Sequence, residues 1–360
     1  MLAHRIAAAF AIALASATAA AAPYARVALD PDIGARRTGS VCNGPVRCLA
    51  HALVDPDGQL HADAAPSGFM PSDLWSAYQI DPNHQNAATV ALVDAYGYPG
   101  LEGDLAAYRS AFGLGPCTTA SGCLTIVNEQ GQKSPLPAPP PPSDDWTLET
   151  ALDVDMVSAA CPTCKIIVVQ ATADDPQDML DAQNAAAALR PTAISDSFGG
   201  AESGDITALE TYYDHPGIAQ FAAGGDHGYG DSGMGPMYPS TSAHVIAVGG
   251  TSLLPAPNAR GWTETAWSSG GSSCSLSIPK PSYQTATACN QRASNDISAV
   301  ADPQTGLSIY NAANGGWLVF GGTSAASPLT AAMFAATGNG QATAAEVAQS
   351  ASVFNDVTSG

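Results

Sequence analysis

The segment Gly321-Gly-Thr-Ser-Ala-Ala-Ser-Pro328 stands between an apolar run, Gly316–Phe320, and a stretch of small residues, Ala331–Ala336. This order predicts a strand, a turn loosened by glycine and then a helix, with Ser324 at the start of the helix. A hydroxyl there lies near free backbone N–H groups and the positive end of the helix dipole, which favour developing negative charge. The alternative is an N-cap serine in an ordinary glycine-rich turn. Because a nucleophilic serine needs a base, the rest of the chain must decide between the two.

Short, unbroken apolar runs recur before this segment and predict the strands of a parallel sheet. They do not alternate with polar residues, which is typical of strands buried on both faces. Helical stretches at Trp146–Ala160 and Asp178–Leu189 give a β-α-β rhythm. We therefore expect one doubly wound, mostly parallel α/β domain over residues 66–360, ordered from about Met70, after a short N-terminal extension at residues 23–65. The predicted strands are Ala88–Val93, Lys165–Gln170, Thr192–Ser197, Ile218–Ala222 and Val245–Val248.

The N-terminus and the charge balance predict a secreted protein, either extracellular or periplasmic. His4 and Arg5 precede an apolar stretch that ends near Leu14 and then alanine-rich sequence, so residues 1–22 have the pattern of a signal peptide. The chain has 12 basic and 32 acidic residues, for a net charge of -20. Such a surface disfavours binding to nucleic acid and to anionic membranes. We expect a monomer.

The eight cysteines fall into four pairs that are close in sequence. An even count behind a signal peptide favours disulfides formed in an oxidising compartment. Pairing between sequence neighbours is expected, although spacing alone leaves the connectivity open. Cys161-Pro-Thr-Cys164 also fits a redox or zinc motif, but no second such motif or nearby histidine pair completes a zinc set. The four pairs are Cys42 and Cys48, Cys117 and Cys123, Cys161 and Cys164, and Cys274 and Cys289.

Two carboxylates on the helix Trp146–Ala160 offer a base without histidine. Glu149 and Asp153 are four residues apart and therefore project from one helix face. Like charges at this spacing raise each other's proton affinity, so one group can hold a proton while the other accepts one at acidic pH. A solvated acidic face is the alternative. None of the histidines has the helix-start context that a Ser-His pair needs; they are His4, His51, His61, His84, His215, His227 and His244.

Asp226 lies in a glycine-rich segment that follows the predicted strand Ile218–Ala222. Glycines let the backbone approach a ligand closely, and the carboxyl ends of strands are where α/β folds place their sites. In a desolvated pocket the Asp226 carboxyl could stay protonated and donate a hydrogen bond to an oxyanion. Alone, the segment would be an ordinary turn.

Together these motifs resemble the sedolisins, serine-carboxyl peptidases that have a subtilisin-like fold and act on proteins or peptides at low pH. Gly322-Thr-Ser324 with Pro328 is similar to the nucleophile motif of the family. Glu149 and Asp153 match its base pair, and Gly225-Asp226 matches its oxyanion aspartate. The resemblance implies a Ser-Glu-Asp mechanism carried by Ser324, Glu149, Asp153 and Asp226.

The resemblance also implies substrate-binding and supporting residues. Ser197-Phe-Gly-Gly200 is similar to the strand along which the family binds peptide backbone, so Phe198, Gly199 and Gly200 are expected to bind substrate. Gly225, which precedes the oxyanion aspartate, is expected to bind substrate as well. Asp94, at the end of the first predicted strand, resembles an outer acidic member of the catalytic network. A turn residue at a strand end is the alternative for Asp94.

The chain departs from the family pattern in three places. About forty residues separate the signal peptide from the core, where the family carries a large pro-domain. His227 replaces the serine that commonly follows the oxyanion aspartate. Calcium is expected at Asp356 and the Val357 carbonyl, but the chain ends at Gly360, before a second glycine-rich half site, so it is a fragment or its calcium site is incomplete.

Two other functions compete with the peptidase reading. The pro-domain and calcium departures favour a catalytically impaired secreted binding protein on the same fold. A secreted Ser-His esterase would need a nucleophile-elbow pentapeptide, which Gly-Thr-Ser-Ala-Ala is not.

Overall fold

The computed structural model describes residues 37–231, 235–285 and 287–360. The proposed signal peptide lies outside this range. The strands are β1 (Arg37–Ser40), β2 (Arg47–Cys48), β3 (His51–Val54), β4 (Thr89–Ala95), β5 (Leu124–Asn128), β6 (Lys165–Ala171), β7 (Ala193–Asp196), β8 (Phe198–Ala201), β9 (Ala219–Ala223), β10 (Met237–Tyr238), β11 (Ile246–Pro255), β12 (Trp262–Ala266), β13 (Cys274–Pro279), β14 (Gln291–Ala293), β15 (Ile297–Val300), β16 (Leu307–Asn311) and β17 (Gly316–Gly321). The α-helices are α1 (Pro71–Tyr78), α2 (Leu101–Ala111), α3 (Trp146–Ala160), α4 (Pro176–Ala188), α5 (Thr323–Ala336) and α6 (Ala344–Gln349).

An eight-stranded sheet forms the centre of the fold, in the order β12-β11-β9-β7-β4-β6-β5, with β15 also paired to β11. All of its strand pairs are parallel except that of β11 with β12. The five strands predicted from unbroken apolar runs correspond to β4, β6, β7, β9 and β11. Their side chains are almost entirely buried, which explains the lack of polar alternation.

Helices cover both faces of this sheet, as neighbouring residues of β9 demonstrate. The Phe221 ring packs edge to face on Phe334 of α5, with 5.2 Å between the ring centroids. The next residue, Ala222, belongs to a separate buried cluster with Leu180 of α4. Successive side chains of a strand point to opposite faces, so α5 and α4 lie on opposite sides of the sheet. The fold is therefore the doubly wound, mostly parallel α/β arrangement that the sequence predicted.

Helix α3 has the bounds predicted from sequence and lies against α5. The Asp145 side chain caps it by accepting a hydrogen bond from the Thr147 N–H at 3.1 Å. Every residue of α3 except Thr147 is buried, and not only the apolar stripe. Its carboxylates therefore lie in the protein interior, which excludes a solvated acidic face.

Order begins well before Met70, contrary to the expectation from sequence. Strands β1 and β3 form an antiparallel hairpin, and β3 joins β17 in a four-stranded sheet ordered β1-β3-β17-β16. Strand β2 pairs with β8 in a second small sheet, ordered β10-β8-β2. These N-terminal strands are two to four residues long, too short for a recognisable period, and distant parts of the chain supply their partners.

All eight cysteines are paired, and the pairing between sequence neighbours is confirmed. The disulfides are Cys42–Cys48, Cys117–Cys123, Cys161–Cys164 and Cys274–Cys289. The Cys161-Pro-Thr-Cys164 motif is thus a disulfide that closes the end of α3. In the part of the chain that the structure describes, no helix is both long and apolar enough to cross a bilayer.

Candidate active site

Helix α3 carries Glu149 and Asp153 into the protein interior, where both are fully buried. Burial raises the pKa of Glu149 well above its ordinary value, and the charge of Asp94 adds to the rise. The neighbouring Ser324 hydroxyl opposes part of this rise. Burial, followed by the charges of Asp94 and Glu149, also raises the pKa of Asp153. The two carboxyl groups therefore hold protons more strongly than free side chains do, mainly because they are buried and lie near Asp94, and only in smaller part because of their spacing on α3.

Asp94 lies at the end of β4 and is fully buried. Burial raises its pKa to about 7, against the opposing effect of a hydrogen bond from the Thr150 side chain. Because Asp94 acts on the pKa of both Glu149 and Asp153, it belongs to the same electrostatic group. The alternative of a turn residue at a strand end does not describe this position, because Asp94 lies within β4.

Ser324 lies in the first turn of α5, behind the N-cap residue Gly322. Its Oγ donates a hydrogen bond to the Ser197 carbonyl at 2.9 Å. Gly322 has a φ of 97°, a left-handed conformation that glycine adopts readily. A Cβ at Gly322 would lie 2.2 Å from the Leu49 carbonyl oxygen and 2.7 Å from Asp226 Oδ2. The turn therefore requires glycine, both for its backbone conformation and for its lack of a side chain.

Ser197 links the nucleophile to the carboxyl pair, a role that sequence reasoning missed. Its Oγ donates to Asp153 Oδ1 at 2.8 Å, while its carbonyl accepts from Ser324 Oγ. The residue was visible in the sequence as the one that precedes Phe198. Its contacts depend on α3 and α5 meeting at the start of β8, however, and its position in the sequence does not predict these contacts.

Asp226 follows β9 and reaches the N-terminus of α5. Its Oδ1 accepts hydrogen bonds from the Thr323 N–H at 2.7 Å and from Thr323 Oγ1 at 2.8 Å. Burial raises the pKa of Asp226 to about 8, although the Thr323 hydrogen bonds oppose the rise. Because both donors bind Oδ1, a proton on this carboxyl would reside on Oδ2, beside Gly322.

Strand β8 carries the predicted peptide-binding residues, and part of the chain itself already lies along it. Phe198 pairs with Cys48, and Gly199 with Arg47, in antiparallel register. Gly200 pairs with Tyr238 on the other side of β8. Gly225 is instead turned towards α5, where its N–H donates to Thr323 Oγ1 at 3.1 Å. It therefore supports the start of α5 rather than lying along β8.

His51 lies beside Asp226, although the sequence analysis placed it in the N-terminal extension, outside the predicted domain. Its Nε2 is 3.5 Å from Asp226 Oδ2, and its ring centroid is 5.4 Å from that of His227. Burial lowers the pKa of His51 to about 4, and His227 contributes to the decrease. Nδ1 of His227 lies 3.0 Å from Asp231 Oδ1. His51 is therefore a neutral neighbour of Asp226 at all but acidic pH.

The expected calcium ligands lie apart from this group, near the C-terminus. Asp356 is exposed and Val357 is half-buried. They would supply far fewer than the six to eight oxygens that calcium takes. Among the described residues, the acidic, histidine or cysteine side chains that cluster closely enough to share an ion are Cys42, Cys48 and Glu149, and those two cysteines form a disulfide. Calcium binding stays a prediction.

Comparisons with known proteins agree with the fold. A model of the subtilase family matches residues 141–352. Kumamolisin of Bacillus sp. (strain MN-32) is 30% identical over 305 residues, which are 76% of this chain and 52% of kumamolisin, so the chain spans about half the length of that relative. The structure of Pseudomonas sedolisin, a serine-carboxyl proteinase complexed with two molecules of pseudo-iodotyrostatin, has a TM-score of 0.65 at 23% identity and covers 82% of this chain and 90% of its own. The chain therefore belongs to the subtilase family of serine peptidases, and its resemblance to the sedolisins is confirmed.

Proposed function

We propose that this protein is a serine-carboxyl peptidase that hydrolyses peptide bonds in proteins or peptides at acidic pH. One observation carries the proposal: a serine at the start of α5, the carboxyl pair of α3 and the buried aspartate after β9 converge on one corner of the fold. Ser197 accepts a hydrogen bond from Ser324 and donates one to Asp153, and the Thr323 N–H donates to Asp226, so hydrogen bonds tie these three elements together.

In this mechanism Ser324 Oγ attacks the scissile carbonyl carbon. Glu149 takes the hydroxyl proton and later delivers it to the leaving amine. Asp153 orients Glu149 and shares its proton, while the Ser197 hydroxyl holds Asp153 in place. The raised pKa values of both carboxyls suit this role, since a proton can remain on the pair throughout the reaction.

Protonated Asp226 stabilises the oxyanion. Because Thr323 occupies Oδ1, the Asp226 proton lies on Oδ2 and is available beside Gly322. The Ser324 N–H, at the positive end of α5, supplies a second donor. Ionisation of Asp226 would remove one donor and place a negative charge next to the developing one. Activity is therefore expected to decline as the pH rises.

We further propose that the protein is secreted and works as a monomer. Four disulfides support an oxidising compartment, together with the signal-peptide pattern of residues 1–22. If calcium binds, Asp356 and the Val357 carbonyl would contribute ligands, at a distance from the reacting groups.

A serine-reactive probe tests the proposal directly. A fluorophosphonate, or an aldehyde that mimics the transition state, is expected to modify Ser324 at about pH 4. Ser324→Ala should abolish labelling, and Glu149→Ala should abolish peptide hydrolysis while leaving the circular dichroism spectrum unchanged. A hydrolysis rate that peaks near pH 8 would contradict the serine-carboxyl mechanism. Absence of both labelling and hydrolysis would favour the impaired binding protein.

A further inference from the structure

We propose that Asp144 and Asp174 form a subsite that binds a cationic group of the peptide substrate, an ammonium or a guanidinium, on the N-terminal side of the scissile bond. The inference rests on the proposed peptidase function and extends it to the choice of substrate. Neither aspartate belongs to the group of side chains around Ser324, and the sequence analysis assigned no role to either of them.

The two aspartates lie at the same edge of the central sheet as the active site. Asp144 precedes the N-cap residue of α3, and Asp174 lies in the loop between β6 and α4. Tyr96, two residues after Asp94 at the end of the neighbouring strand β4, donates its hydroxyl to Asp174 Oδ1 at 2.7 Å. The carboxyl ends of parallel strands form the binding edge of an α/β fold, so the pair is placed where a substrate passes.

The pair is buried and has no partner of opposite charge. Asp144 is 7% exposed and Asp174 is 6% exposed. Among the described residues, no lysine, arginine or histidine forms a salt bridge with either aspartate, and Asp174 Oδ2 accepts no hydrogen bond. Buried carboxylates are costly unless they are paired, and such groups in a cleft are candidates for a binding site.

The two carboxylates also repel each other. Burial raises the pKa of Asp144, and the charge of Asp174 adds to the rise. The Asn43 N–H opposes the rise by donating to Asp144 Oδ1 at 2.8 Å. A bound cation would offset the repulsion and favour the ionised form of both groups.

One carboxylate oxygen of each aspartate lies next to Gly44, which has no side chain. A Cβ at Gly44 would lie 1.3 Å from Asp174 Oδ2 and 3.2 Å from Asp144 Oδ2. The segment that covers the pair therefore offers it backbone and no charge. A lysine or arginine side chain of a substrate would supply the charge-assisted hydrogen bonds that the backbone does not.

The path of the chain connects this subsite with the nucleophile. The Leu49 carbonyl accepts a hydrogen bond from the Ser324 N–H at 2.8 Å, and the two residues before Leu49 pair with β8. The Val46 N–H then donates to the Asp174 carbonyl at 3.2 Å. A peptide on the same path therefore reaches Asp174 with the fourth residue before the scissile bond. Its fifth to seventh residues pass the two carboxylates.

The test uses peptides that contain one cleavable bond and differ only at these three positions. Each carries lysine at the fifth, sixth or seventh residue before the bond, and the reference peptide carries glutamine at all three. With the full chain, lysine at one position is expected to raise kcat/KM roughly tenfold, the effect of one hydrogen bond between charged groups. The ratio should be larger at about pH 5.5 than at about pH 4, because more of the Asp144 side chain is then ionised.

Two shorter peptides distinguish the sources of the cation. Both begin at the preferred position with glutamine, one with a free amino group and the other acetylated. A higher kcat/KM for the free amine shows that the subsite also takes the amino terminus of a substrate. Equal values restrict it to side chains.

Asp174→Asn keeps the shape of the side chain and its contact with Tyr96 but removes one charge of the pair. This variant is expected to bring the ratio of kcat/KM between the lysine and glutamine peptides close to one. Asp181→Asn is the matched control, because Asp181 is exposed on α4 and its replacement removes the same charge outside the pair. The control should keep the wild-type ratio. A purely structural role of Asp174 would instead lower kcat/KM for both peptides and leave their ratio unchanged, which would overturn the inference.

The outcomes separate the subsite from the peptidase function. If the wild type cleaves the lysine and glutamine peptides equally well, or reacts with a fluorophosphonate but cleaves none of them, the subsite is wrong and the peptidase function stands. A lysine preference that Asp181→Asn loses as well also overturns the subsite. If the wild type neither cleaves a peptide nor reacts with the fluorophosphonate, the peptidase function fails, and the subsite fails with it.

Discussion

Replacing Asp226 with asparagine is expected to stabilise the protein at neutral pH and to leave its stability in acid nearly unchanged. Burial raises the pKa of Asp226 from 3.8 to about 8. Asparagine has the same shape, and its Oδ1 can accept the hydrogen bonds from Thr323. Both side chains are neutral in acid. As the pH rises, only the aspartate has a proton to lose.

The size of the effect follows from proton linkage. Below about pH 4 the Asp226 carboxyl is protonated in both the folded and the unfolded chain, so its contribution is constant. At higher pH the unfolded chain releases this proton, while the folded chain keeps it until about pH 8. The free energy of unfolding therefore falls by about 1.4 kcal/mol per pH unit. Between about pH 4 and pH 7 the loss reaches about 4 kcal/mol, which the asparagine variant avoids.

Denaturant unfolding at both pH values measures this difference. The Ser324→Ala background prevents self-cleavage in the wild type and in the variant. Other buried carboxyls, including Glu149 and Asp153, also titrate, so the informative quantity is the difference between the two proteins at each pH. Asp57→Asn, at an exposed position, is the matched control and should show no pH-dependent difference. Parallel loss of stability in wild type and Asp226→Asn would refute the burial argument.

Two further substitutions probe the corner around the serine. Gly322→Ala should lower the melting temperature and abolish peptide hydrolysis, because the new Cβ would clash with the Leu49 carbonyl oxygen. Gly204→Ala is the control, because Gly204 also has a positive φ, 72°, but has open space around it. This control should lose only the backbone strain energy of about 1–3 kcal/mol. The hydrogen bond from Ser197 lowers the pKa of Asp153, so Ser197→Ala should raise this pKa and shift the acidic limb of the kcat/KM profile to higher pH. Ser195→Ala is the control, because the Ser195 hydroxyl contacts Ser327 instead, and it should not shift the profile. An unchanged profile would remove Ser197 from the network.

The local part of this architecture was predictable because it follows from short-range patterns. The α3 bounds follow from the apolar spacing between Trp146 and Ala160, and the central strands follow from unbroken apolar runs. The turn at Gly322 follows from its glycines and from the small residues beyond it. Disulfide pairing between sequence neighbours also needed no knowledge of distant contacts.

The N-terminal hairpin was not predictable, because its stability comes from partners more than a hundred residues away. Strand β2 has two residues, and only β8 makes it a strand. His51 had no recognisable context in the sequence, although it lies 3.5 Å from Asp226. The role of Ser197 likewise depends on α3 and α5 meeting at its position. Each of these features is a property of tertiary packing, which local periodicity does not encode.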